Sequence, residues 1–138
     1  MPTIYRKTDK IKVQIDDISI KVTPLSYSEK MEINELMSKA LTEKKMKYAM
    51  DGTILAIKYS LKAITGLETP DGESYQLEMD NKQVTDDCIN DLLNMKYSQK
   101  LAAVCASLVH GVGHEIVDPQ TQEKIDGISF EVGDEKKS

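Results

Sequence analysis

Two short runs near the start of the chain restrict its fold more than any others. Ile11-Lys12-Val13-Gln14-Ile15 and Ile18-Ser19-Ile20-Lys21-Val22 each alternate apolar and polar residues, with Asp16-Asp17 between them. Successive side chains of a strand point to opposite faces, so this pattern reads as a β-hairpin with one apolar face. The Asp pair suits the turn because its carboxylates can hydrogen-bond to nearby backbone, and Pro24 stops the second strand.

The periodicity then changes. Ser26 and Glu29 have the spacing at which hydroxyl and carboxylate each satisfy an exposed amide at a helix start. From there Ile33, Leu36, Met37, Ala40 and Leu41 form one buried face, and Lys44-Lys45 marks a break or exposed turn. A second, longer helix is expected from about Met46 to Thr65, carried by Met50, Ile54, Ile57, Leu61 and Ile64 at intervals of four and three. Gly52 either sits inside it at a cost of about 1 kcal/mol relative to Ala, or separates a short helix from a longer one. Gly66 suits a left-handed closing residue, and Pro70-Asp71-Gly72 suits a turn before a short strand over 75–79.

Thr85-Asp86-Asp87 supplies an N-cap and two early acids for a third helix. Asn94 to Ser98 bends or divides it. Leu101, Val104, Cys105, Leu108 and Val109 then make an apolar face that ends before Gly111. Residues 114–117 and 125–132 flank a loop and read as a second hairpin. The expectation is a single α+β domain over 1–132, with terminal β-hairpins that can share a sheet around about four helices, and a flexible tail over 133–138.

The length, 138 residues, suits one domain that buries roughly two-thirds of its unfolded surface. With one Phe and no Trp, its core must rest on aliphatic side chains and some of the seven Met. Two cysteines, Cys88 and Cys105, do not form a Cys-x-x-Cys pair, and both fall on apolar faces, which reads as inert thiols in a reducing compartment. The start of the chain lacks the apolar run of a signal peptide, and nowhere is there an uncharged stretch long enough to span a bilayer, so a cytoplasmic location without membrane contact is expected.

Charge is uneven: residues 1–70 carry 12 basic and 9 acidic side chains, and residues 71–138 carry 6 and 14. The one local basic cluster, Lys44, Lys45 and Lys47, suits a solvated helix end better than a nucleic-acid stripe, so no nucleic-acid partner is expected. The asymmetry instead suits, equally, head-to-tail association of chains or attraction of a charged protein partner.

Candidate chemistry is sparse. His110 and His114 have the spacing of paired ligands on a helix, but Gly111 and Gly113 intervene, so no metal site is expected. Asp16-Asp17 and Asp86-Asp87 are explained by turn formation and helix capping. No phosphate-cradling or dinucleotide motif occurs. The chain reads as a non-enzyme needing no cofactor. Amphipathic helices bearing Met and Tyr remain, and Tyr27, Met31, Met37, Met46, Tyr48, Met50 and Tyr59 are the candidate protein-binding residues. Core packing accounts for most of them; Tyr48 and Tyr59, which lie off the main stripes, are the better contact candidates.

The order of features resembles the tail-assembly chaperones of long-tailed bacteriophages and prophage elements. The resemblance is carried by the opening hairpin running into Thr23-Pro24-Leu25-Ser26-Tyr27-Ser28-Glu29, by Ile57-Lys58-Tyr59-Ser60-Leu61-Lys62-Ala63-Ile64-Thr65-Gly66-Leu67, and by Thr85-Asp86-Asp87-Cys88-Ile89-Asn90-Asp91-Leu92-Leu93 with the helix ending at Gly111. It implies a protein in the bacterial host cell that binds the tape-measure protein, helps tail-tube subunits polymerise around it, and is absent from the finished virion. Holding an elongated helical client calls for apolar, Met-rich surfaces rather than catalytic groups. A structural tail or neck component of the virion and a small regulatory binding module are the alternatives. Exposed hairpin edges leave self-association by strand addition open.

Overall fold

A computed structural model describes residues 3–117, 121 and 123–131. The opening hairpin forms as its alternation requires: β1 (Ile11–Ile15) pairs antiparallel with β2 (Ile18–Val22), in the register Ile11 to Val22, Val13 to Ile20 and Ile15 to Ile18. All six of these side chains are buried, while Lys12 and Lys21 on the other face are exposed. Asp16 takes a left-handed conformation at the turn.

Helix α1 (Tyr27–Glu43) opens on the expected capping box: the Glu29 amide donates to Ser26 Oγ, and the Ser26 amide donates to Glu29 Oε1 at 2.9 Å. Lys44, left-handed at φ 54°, closes it. Helix α2 (Met46–Ser60) returns against α1, and Gly52 lies buried inside it rather than breaking it. A β-carbon at Gly52 would lie 3.1 Å from Met37 Cε and 3.5 Å from the Ile33 carbonyl oxygen, so the glycine lets the two helices approach closely.

The expected helix to Thr65 is corrected here, because α2 stops at Ser60 and strand β3 (Leu61–Thr65) follows without a loop. Leu61 opposes Val22 and Ile64 opposes Ile20, while the register shifts between them and leaves Lys62 as an extra residue. This bulge turns two positions three apart toward the same buried side, so their spacing imitates a helix. The Ser60 hydroxyl, donating to the Ala56 carbonyl at 2.6 Å, occupies the last turn. Gly66 is left-handed as expected, but it ends a strand.

The strand expected over 75–79 shrinks to a two-residue pair, β4 (Met79–Asp80) with β5 (Gln83–Val84). Tyr75 and Leu77 direct their side chains onto the core instead. Helices α3 (Asp86–Leu93), capped by Thr85, and α4 (Ser98–Ser107) divide where expected. The second hairpin is reduced to one bridge, Val117 to Lys124, with much of its loop and Val132 outside the described residues. Its later strand, β6 (Ile128–Glu131), pairs antiparallel with β1. The sheet order is therefore β3-β2-β1-β6, and the fold is mixed α+β, with four α-helices and this antiparallel sheet among the described residues. The expected tail over 133–138 lies outside the described residues.

Helix α2 is central among the helices, in contact with α1, α3 and α4. One continuous core joins the sheet's buried face to Ile33, Ile57, Ile89, Leu92, Leu101, Val104 and Leu108. The hairpin turn is tied down at a distance: Asp16 Oδ2 pairs with Lys100 Nζ at 2.6 Å, and the Asp16 amide donates to the Gly127 carbonyl at 2.7 Å.

Gly52→Ala is expected to change stability by no more than about 1 kcal/mol, since helix propensity favours Ala and the flexible end of Met37 can yield. Gly52→Leu forces α1 and α2 apart and is expected to cost about 1–3 kcal/mol or more. Urea denaturation of both variants checks this ordering.

Candidate protein-binding surface

The α1–α2 hairpin carries five of the large apolar side chains that remain exposed among the described residues: Tyr27, Met31 and Leu41 on α1, Met46 and Met50 on α2. Burial declines along both helices toward their connection. On α1, Ile33 is fully buried, Met37 half-buried and Leu41 80 % exposed; on α2, Ile57 is fully buried, Ile54 half-buried, Met50 47 % and Met46 75 % exposed. The apolar stripes therefore continue past the last residues the core can cover.

Of the seven candidate residues, Tyr27, Met31, Met46 and Met50 are exposed, while Met37 packs against Gly52. Tyr48 and Tyr59 are half-buried and engaged within the hairpin. Lys39 Nζ lies 4.7 Å from the Tyr48 ring centre and Lys47 Nζ 5.5 Å from it. Tyr59 Oη donates to Glu32 Oε1 at 2.6 Å, joining α2 to α1. Periodicity places Leu41 on the buried face, but it is exposed, because α1 outruns the core. A signal for it exists in the sequence, since Leu41 shares its helix face with Tyr27 and Met31.

Most of the groups weighed for chemistry have structural partners. Lys100 pairs with Asp16, and Lys58 with Asp86 at 2.9 Å. Asp17 accepts a hydrogen bond from Tyr97, which holds its carboxyl below the usual range. His110 and His114 place their ring centres 4.8 Å apart, and no group of three or more metal-ligating side chains occurs among the described residues. Cys88 Sγ lies 2.9 Å from Tyr75 Oη, which also donates to Asp91 Oδ2 at 3.0 Å; burial and these two contacts push the phenol up. Burial pushes the Cys105 thiol up to about 12, against a smaller opposite effect of Ser60. No described helix is long and apolar enough to cross a membrane.

No protein-family model, curated protein or solved structure matches the chain.

Two measurements probe these assignments. In the native protein at about pH 8, both buried cysteines should react with a thiol-exchange reagent at least about 100-fold more slowly than in the denatured chain, because the reagent reaches either sulfur only on opening. The Glu32 hydrogen bond, with burial, raises the Tyr59 phenol from 10.0 to about 12. Between those values the unfolded phenol ionises while the folded one stays protonated, so this stabilisation is intact below pH 10 and lost as pH rises through the interval. Tyr59→Phe should therefore lose less stability over that interval than the parent, measured by denaturation at each pH.

Proposed function

We propose that the protein is a non-enzymatic phage tail-assembly chaperone that binds the tape-measure protein and helps the tail tube assemble around it. The carrying observation is the concentration of exposed Met, Leu and Tyr side chains on a helical hairpin whose other face is anchored to a continuous aliphatic core. Met adapts its unbranched side chain to varied neighbours, so Met46 and Met50 suit successive apolar positions of a long client. Burying each such side chain in a complex is worth roughly 1.5–3 kcal/mol before the costs of association. The resemblance in layout across about residues 11–111 adds the client's identity.

The test is capture by tagged protein from cells expressing the neighbouring phage or prophage genes, with purified particles assayed in parallel. The expected result is recovery of the tape-measure protein, absence of this chain from particles, and at least about tenfold weaker capture by Met46→Ser/Met50→Ser at unchanged melting temperature. Retention in particles would instead establish a structural virion component, and capture of a host protein alone would establish a regulatory module.

A further inference from the structure

Along α1, Tyr27, Met31, Asn34, Ser38 and Leu41 recur at intervals of four, three, four and three, and all five are exposed. That is the seam spacing of a two-stranded coiled coil, maintained over two heptads, or about 21 Å of helix. A shallow depression of about 550 Å³ runs beside Met31, lined by Ser28, Glu32, Asn34, Glu35 and Ser38. The residues flanking the seam differ in sign: Lys30 lies on one side and Glu35 on the other. Neither has an ion-pair partner among the described residues.

We propose that this seam is the interface of a parallel two-fold dimer with a second copy of the chain. In the parallel register each seam residue meets its own counterpart, giving apolar layers at Tyr27, Met31 and Leu41. Asn34 meets Asn34 of the second copy, where a side-chain amide can both donate and accept across the axis, and Ser38 adds a second small polar layer beside it; satisfying Asn34 in this way favours the in-register alignment. Lys30 then lies beside Glu35 of the other copy, and symmetry repeats the pair. The antiparallel register is disfavoured, since it opposes Glu35 to Glu35 and Lys30 to Lys44. Lys44 is left-handed and ends the helix, so the repeat stops at Leu41 and Lys45 adds no further layer.

The dimer goes beyond the chaperone reading and does not require it. The dimer takes Tyr27, Met31 and Leu41 out of the client surface and leaves Met46 and Met50 on α2, outside the seam, so that two such reduced surfaces face one elongated client.

Sedimentation equilibrium of the full chain over a concentration series is the primary experiment, with circular dichroism confirming the fold of each variant. The expected result is a reversible dimer, weakened about tenfold by Glu35→Lys, which sets like charges together, and restored to within about threefold by the double exchange Lys30→Glu/Glu35→Lys. Asn34→Cys should form a disulfide-linked dimer on mild oxidation, while Glu43→Cys, away from the seam, should not. A chain that stays monomeric at about 1 mM, or a charge exchange that fails to restore association, overturns the dimer. Client capture by such a monomer would leave the chaperone reading standing alone, whereas a dimer without client capture would do the reverse.

Discussion

Six aliphatic side chains on one face of the hairpin over Ile11 to Val22 must be kept from water, and most of the architecture follows from how that is done. A two-stranded ribbon is at best marginally stable, so β3 and β6 extend it on both edges while helices cover its apolar face. Central α2 is the means of coverage. It delivers Ala56 and Ile57 to the core and passes directly into β3, so the same segment both covers the sheet and widens it. The outer face keeps Lys12, Lys21 and other polar side chains and can remain in water, as antiparallel sheets commonly do.

Helix α1 has a different standing. It reaches the core chiefly through Ile33, and its close approach to α2 depends on the missing side chain at Gly52. The remainder of its surface is free to carry side chains that the fold does not need. Tyr48, Lys39, Tyr59 and Glu32 strengthen the contact between the two helices from its flank, which allows an apolar surface to be displayed without the hairpin depending on that surface for its own cohesion.

What could be read in advance divides along a physical line. The hairpin, the capping box at Ser26, the Thr85 cap and the apolar face of α4 are local patterns whose meaning does not depend on distant partners. The β3 segment failed because a bulge at Lys62 places Leu61 and Ile64 on one side at helical spacing. β6 reads as a strand able to share a sheet with the opening hairpin, as it does, but the choice of β1 as its neighbour, more than a hundred residues earlier, leaves no local signal. Leu41 was misplaced because helical periodicity identifies a face without saying where the core beneath it ends. Of the candidate surface, periodicity favours core packing for most members and contact for Tyr48 and Tyr59, and the structure reverses that preference: Tyr27, Met31, Met46 and Met50 are exposed while Tyr48 and Tyr59 are half-buried within the hairpin. Tyr48 and Tyr59 were harder to place, since a side chain off the main stripe can serve a neighbouring helix as well as a partner.

The pairing of β6 with β1 also has a consequence for biogenesis. During translation the β1–β2 hairpin emerges early, whereas the strand that closes its free edge is made only after all four helices. Until then β1 carries unpaired amides and carbonyls along an apolar ribbon, the kind of edge that recruits strands from other nascent chains. Lys12 on β1 and the Asp16-Asp17 turn put charge along that edge, and charged side chains oppose improper strand addition. The interval before the sheet closes is therefore when the chain is most exposed to aggregation, and faster synthesis of the stretch between the two strands would shorten it.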